Sequence, residues 1–263
     1  MPTTPTPPSA DVLRAFGATA LPELLPGGRG LTWRSGDIVL RPAEGEAETI
    51  WKSELLSTLV PNARFTVPRP VAAQDGTWVR GGWHAMEWMP GRPDEHRVDD
   101  VIRAGQAFHE AVGAVPRPEF LDEAHDAWSV ADRIAWKEQT PPADAFLRAL
   151  ISECGEVTAP SQIIHGDLLG NVMFADGRPP TLIDWAPQWR PAGFGAAIAV
   201  ADAVCWHGLP LTELANDHGI AQWRELLLRA LAFRVTTLHL LGFWNAEELA
   251  RHTPVADAII RLG

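Results

Sequence analysis

At 263 residues, 46% hydrophobic and 21% charged, the chain has the make-up of an ordinary globular protein, long enough for one large domain or two lobes. A formal net charge of −11 argues against a nucleic-acid binder, which needs basic patches for phosphate, and is compatible with a cationic ligand. Cys154 and Cys205 belong to no C-x-x-C pair, which predicts reduced thiols and a cytoplasmic setting.

Met1 to Ala10, MPTTPTPPSA, lacks the basic start and apolar stretch of a signal peptide and reads as a disordered tail, with residues 1–20 a tail and lead-in. Residues 21–89 read as short strands and turns: LPELLPGGRG, LTWRSGDIVLRP, and FTVPRPVAAQDGTWVRGGWHAMEWM. Ser35 to Asp37, between LTWR and IVLRP, predicts a hairpin turn. One helix is expected among them, Glu46 to Leu59, with Ile50, Trp51, Leu55 and Leu59 in helical spacing.

After the turn MPGRP, residues 90–263 become mostly helical. Asp99–Val112, Ala143–Ser152 and Ala221–Phe243 are amphipathic, and Asn245 is placed to cap a last helix with Glu247 and Glu248 in its first turn. AGFGAAIAVADAVCWHGLPL, Ala192 to Leu211, has about the length of a membrane span. It is Ala- and Gly-rich and carries Asp202 and His207, so a buried helix is expected and no membrane partner.

Within this half lies IIHGDLLGNVMFADGRPPTLIDW, Ile163 to Trp185, where His165, Asp167, Asn171 and Asp184 stand among large apolar residues. Polar groups there are costly to bury unless paired. Asp167 follows a strand-like Ile163-Ile164, and two further strands are joined by ADGRPP, a hairpin that would bring Asn171 and Asp184 together. An amide oxygen beside a carboxylate suits Mg²⁺, and a second carboxylate can accept a proton from an attacking hydroxyl. Singly, each of these residues reads better as a turn former; the ordered set reads as a site. A metal hydrolase using His165, Asp167 and Asp184 is the weaker alternative, because no H-x-x-x-H or H-E-x-x-H set adds ligands.

HGDLLGN and LIDW resemble the catalytic loop and metal motif of the aminoglycoside phosphotransferase family. That resemblance implies an α+β, bilobal protein-kinase-like fold, with a small β-rich N-lobe (21–89, nucleotide-binding) and a larger α-helical C-lobe (90–263). It makes Asp167 the catalytic base, gives Mg²⁺ to Asn171 and Asp184, and makes ATP or GTP the phosphoryl donor. LPGGRGLTW is similar to the glycine-rich loop, so Gly27, Gly28 and Gly30 would let backbone amides approach phosphates. HAMEWMPG resembles the interlobe hinge, where backbone groups from Glu87 to Met89 would meet the base edge. GQAFHEAV is similar to the first large-lobe helix, with His109 read as packing, and His165 as a structural loop residue.

Several positions depart from the family pattern. Arg41 stands in IVLRP where the family usually has a phosphate-binding Lys, and the two are not interchangeable. The acid expected to pair with it is Glu54, with Glu48 as alternative; matching the leucines directly puts Lys52 there instead. Three residues rather than four separate Asp167 from Asn171, and Gly170 would permit the tighter turn. The short loop, with the WRP of Trp189 to Pro191, is similar to a subset of the family. Asp202 is read either as a second structural Asp buttressing the loop or as an isolated polar residue. Gly166 replaces the Arg that precedes the base in protein kinases, and only seventeen positions run from Asp167 to Asp184, which favours a small-molecule kinase. The expected activity is Mg²⁺-dependent transfer of the γ-phosphoryl group to a hydroxyl of an aminoglycoside-like or other small acceptor, cationic ones included. Glu213, Asp217, Glu225, Glu247 and Glu248 are the acids that could attract a cationic acceptor, or else solvated helix faces. A nucleotide-binding pseudokinase, crippled at Arg41, is the alternative.

Overall fold

In a computed structural model, residues 6–27 and 30–262 are described, and the α+β chain divides into one unit ending at Gly91 but including Phe174–Ile183, and another of Arg92–Met173 with Asp184 onward.

In the first unit, residues 1–20, given no element by the sequence reading, contain helix α1 (Ala10–Ala15). The Ser9 hydroxyl accepts from the Val12 N–H at 3.3 Å, capping it. Val12 and Phe16 sink into a core with Ala18, Leu40, Ala73 and Ala85, the hydrophobic burial that fixes so short a helix. Strands β1 (Glu23–Leu24), β2 (Trp33–Ser35), β3 (Ile38–Pro42), β4 (Pro70–Val71) and β5 (Trp83–Glu87) form an antiparallel sheet in the order β1-β2-β3-β5-β4. Ser35 pairs with Ile38, so Gly36 and Asp37 form the predicted two-residue turn, with Gly36 at φ +62°. Strand alternation sends Leu40 into the core and Arg41 to the opposite face.

Helix α2 (Glu46–Thr58) lies between β3 and β4. Its buried stripe is Thr49, Ser53 and Leu56 rather than the predicted Ile50, Trp51, Leu55 and Leu59, which are half-buried. The Ser53 hydroxyl donates to the Thr49 carbonyl at 2.8 Å, which satisfies it inside that stripe. Residues 174–183 join this unit through the Thr66 N–H donating to Pro180 O and the Leu182 N–H to Thr66 O, both at 2.9 Å.

The second unit opens with β6 (Arg92–Pro93) and continues with α3 (Val98–Val112), α4 (Phe120–Glu123), α5 (Ala127–Ala135) and α6 (Ala145–Glu153). Asp126 caps α5 and Asp144 caps α6, their carboxylates accepting from backbone N–H groups of the first turns. Then come β7 (Ser161–His165) and β8 (Val172–Phe174); β9 (Thr181–Leu182) lies in the first unit, and the second resumes with β10 (Pro187–Pro191), α7 (Gly193–Trp206), a 3-10 turn (Leu211–Ala215), α8 (Trp223–Leu240) and α9 (Ala246–Ile260). Asn245 caps α9 as predicted, accepting from the Glu247 and Glu248 N–H groups. Helix α7 is buried along nearly all its length, the expected fate of its Ala-rich stretch, and α8 packs against α5, α6, α7 and α9. No described helix is long and apolar enough to cross a membrane.

Strand β10, unanticipated in the sequence, pairs antiparallel with β7 from His165–Pro187 to Ser161–Pro191. Arg190 fastens it to α5: the guanidinium donates to both Asp132 oxygens at 2.7–3.0 Å and to Glu138 at 2.6 and 2.9 Å, and lies 4.8 Å from the Trp136 ring centre.

Candidate active site

The register of β7 and β10 brackets the site. His165 lies opposite Pro187, the Gly166 N–H donates to Ala186 O at 2.9 Å, and the Trp185 indole N–H to Ile164 O at 3.0 Å. Residues just after Asp184 are therefore tied to residues just before Asp167. This strand pair brings the two acids' flanks together, and β8 and β9 pair across ADGRPP as the sequence foresaw. Asp184 is exposed and its backbone stands at φ +48°, a left-handed conformation that Asp adopts more readily than most residues.

Behind the loop runs a chain of two imidazoles. The Asp167 N–H donates to His165 Nδ1 at 3.1 Å, and the His165 N–H donates to His109 Nε2 at 2.9 Å. His109 Nδ1 lies 3.0 Å from Ala192 O, so with Nε2 accepting, its proton sits on Nδ1. Burial, with the nearby His165, pushes His109 down to about 3, so it stays uncharged. Both histidines thus hold backbone groups of the loop and its neighbours by hydrogen bonds. Two glycines let helices close on the loop: a Cβ at Gly195 on α7 would stand 2.6 Å from His165 O, and one at Gly105 on α3 would stand 2.4 Å from Leu168 Cδ1.

Asp167 is held at both oxygens. Asn171 Nδ2 donates to Asp167 O at 2.8 Å and to Oδ2 at 3.1 Å, and Arg234 Nη2 donates to Oδ1 at 2.5 Å. Gly170, at φ +81°, makes the tight turn that the short loop needs. The Asp167 side chain nonetheless remains 42% exposed, open to a ligand. Arg234, on α8, also grips buried Asp202 of α7, Nε donating to Oδ1 at 2.8 Å and Nη2 to Oδ2 at 2.5 Å. Burial works against the guanidinium's charge, but Asp202 and Asp167 outweigh it, and the proton is held more tightly than usual. Asp202 thus buttresses the loop through a cation. Arg234 escaped the sequence reading, although a lone Arg in the apolar run AFRVTT and a lone Asp in AVADAV each signal a buried charge that needs a partner.

Asn171 and Asp184 fit a hard divalent cation. With Nδ2 spent on Asp167, the Asn171 side chain presents Oδ1, and Asp184 offers an exposed carboxylate. Among the described residues no group of three His, Cys, Asp or Glu side chains could hold a metal. Mg²⁺ needs no such cage, since it takes one or two protein oxygens and completes its shell with water and phosphates.

The remaining expected residues belong to the first unit. Gly27 and Gly30 stand at φ +86° and +70° in a turn closed by the Gly30 N–H donating to Gly27 O at 2.9 Å; Gly28 lies outside the described residues. Arg41 is half-buried opposite His84 of β5. Glu54 is exposed on the outer side of α2, whereas Lys52, beside the buried stripe, pairs with Glu48 at 2.7 Å. The Glu87 N–H donates to Arg69 O and the Trp88 N–H to Asp37 O, each at 2.8 Å, and Met89 is half-buried. Of the five acids named for a cationic acceptor, Glu225 accepts from the Gly155 N–H, Glu247 pairs with Arg251 at 3.0 Å, and Glu248 accepts from Trp206 Nε1 at 3.2 Å. Glu213 and Asp217 lie in or beside the 3-10 turn.

Against known proteins, a profile of the phosphotransferase enzyme family matches residues 31–228. A search of curated proteins found no match. Among solved structures, a thermostable mutant of the aminoglycoside phosphotransferase APH(4)-Ia in ternary complex with ADP and hygromycin B is similar at TM-score 0.61 and 16% identity, over 96% of this chain and 97% of that one. The amicoumacin kinase hAmiN, in complex with AMP-PNP, Ca²⁺ and Ami, gives 0.55 and 13% over 91% and 88%. An aminoglycoside phosphotransferase from Alicyclobacillus acidocaldarius gives 0.54 and 13% over 88% and 87%. Identities this low speak to the fold alone.

Proposed function

The chain belongs to the phosphotransferase enzyme family, and from that premise we propose that it is a small-molecule kinase, moving the γ-phosphoryl group of ATP or GTP to a hydroxyl of an aminoglycoside-like or other small acceptor. The observation that carries this reading is Asp167: a carboxylate fixed at both oxygens, still open on one side, and bonded to the very Asn171 whose amide oxygen it orients. Solved relatives in complex with nucleotides and hydroxylated antibiotics support the substrate class.

In the reaction Asp167 would accept the acceptor's proton as its oxygen bonds the γ-phosphorus, while the bond to the β–γ bridging oxygen breaks and the nucleoside diphosphate leaves with the electron pair. Asn171 and Asp184 would hold Mg²⁺, which when bound neutralises charge on the phosphates. The backbone at Gly27, Gly28 and Gly30 would cradle them, with Arg41 gripping two phosphate oxygens at once. The Glu87 carbonyl and the Met89 amide would meet the base edge. On α2, Glu54 would act beside Arg41, with Glu48, which pairs with Lys52 at 2.7 Å, as the alternative.

The test is Mg²⁺-dependent consumption of ATP and of GTP across aminoglycosides, amino sugars and other hydroxylated compounds. Asp167→Ala should abolish transfer with nucleotide binding intact, whereas Asp184→Ala should weaken Mg²⁺-nucleotide binding too. Equal turnover in Asp167→Ala and wild type refutes the base. Nucleotide binding with no turnover on any acceptor would turn the reading to a pseudokinase.

A further inference from the structure

We infer that Arg234 is the positioning residue of the base, fixing the Asp167 carboxylate in one rotamer through a relay from Asp202; this rests on the kinase reading above. The loop cannot do this by itself. After Asp167 come Leu168 and Leu169, both buried, so the loop supplies no cation. Among the described residues the other side-chain grip on the carboxylate is Asn171 Nδ2 at 3.1 Å, at the long end for a hydrogen bond, and a side chain 42% exposed has room to turn.

Arg234 supplies what is missing from a rigid place. It rises from α8 between buried Phe233 and Val235, and its own side chain is 13% exposed. Asp202 takes Nε and Nη2 together, which fixes the plane of the guanidinium, and the same Nη2 reaches Asp167 Oδ1 at 2.5 Å. Two buried helices thereby set the orientation of one carboxylate on a short loop. A base misplaced by about 1 Å costs on the order of 100-fold in rate, so the relay acts on turnover rather than on nucleotide affinity.

The experiment compares wild type, Arg234→Met, Arg234→Lys and the double variant Arg234→Met with Asp202→Leu, which leaves no buried charge unpaired and so keeps the test open if the single variant fails to fold. With an acceptor found in the panel above, the folded variants lacking the guanidinium should lose about 30- to 100-fold in kcat with the nucleotide KM within about threefold. Guanidinium ion at millimolar concentration should restore part of the kcat of Arg234→Met, and Arg234→Lys should lie between, because one ammonium cannot span both carboxylates. A crystal structure of the double variant should find Asp167 turned from its wild-type rotamer. Wild-type kcat in the double variant, or a raised nucleotide KM with unchanged kcat, overturns the inference while Asp167→Ala remains dead. If Asp167→Ala is as active as wild type, the base reading and this inference fall together. If no acceptor supports turnover, the crystal structure decides: an unmoved Asp167 overturns the positioning role.

Discussion

Replacing Gly195 with alanine should destabilise the protein and slow it. In an unobstructed helix the change would be favourable by about 0.5–1 kcal/mol, because alanine restricts the unfolded backbone. Here the new methyl group would stand 2.6 Å from the His165 carbonyl oxygen and 3.1 Å from His109 Cε1. Neither neighbour can turn aside: the carbonyl belongs to β7, and the ring is held by hydrogen bonds at both nitrogens. Helix α7 must therefore back away from a closely packed core, an overpacking that costs about 1–3 kcal/mol and leaves a net loss of about 1–2 kcal/mol after the propensity gain. For a chain of this size roughly 2–4 °C of Tm follows each kcal/mol, so a fall of about 2–8 °C is expected by circular dichroism. The same push travels from His165 to the Asp167 N–H, and kcat should drop about tenfold or more. Gly105→Ala is the control, since its clash is with the movable end of Leu168 and should cost less. A Gly195→Ala protein with unchanged or raised Tm and wild-type kcat would refute the reasoning.

Two other perturbations test the frame behind the site. His109 is held near 3 in the folded protein against 6.5 for the free imidazole, so the unfolded chain takes up a proton first as pH falls. Stability from this group is complete above about pH 6.5 and is lost below it at about 1.4 kcal/mol per pH unit, some 2 kcal/mol by pH 5. His109→Gln keeps one donor and one acceptor without the titration; chemical denaturation at pH 7 and pH 5 should find wild type losing more than the variant, and equal losses would contradict the assignment. Asp132→Ala should cost about 3 kcal/mol in urea unfolding, because it strips a buried partner from Arg190, while Glu138→Ala, whose side chain is 48% exposed, should cost about 1 kcal/mol or less. Equal costs would mean that the Asp132 pair is no more important than a surface contact.

Local chemistry was readable wherever a short segment decides its own shape. The Ser35–Asp37 turn, the Asn245 cap and the buried Ala-rich helix all follow from neighbours in sequence, and the structure has them. What escaped depends on distant partners. Helix α1 is only six residues long, with no periodic pattern to announce it, and is fixed by Leu40 and Ala85. Strand β10 begins and ends in proline and so reads as a loop, although its N–H and C=O groups find β7. On α2, Thr49 and Ser53 lie inside and Trp51 is half out, because a hydroxyl that bonds its own helix backbone can be buried. The loop acids were legible from their order in the motif. Arg234 was not, because its meaning lies 67 residues from Asp167, across a contact that no local pattern encodes.

At Asp184 the backbone and the proposed chemistry impose separate filters on what evolution can accept. A left-handed residue other than glycine costs about 1–2 kcal/mol, least for Asp and Asn, whose short polar side chains can bond nearby backbone. A cation ligand there must carry an oxygen. Glycine passes the first filter and fails the second; glutamate does the reverse. Mutational tolerance at this site should therefore narrow to Asp, with Asn as a weakened second, and the usual acid-for-acid exchange becomes one of the more damaging replacements available.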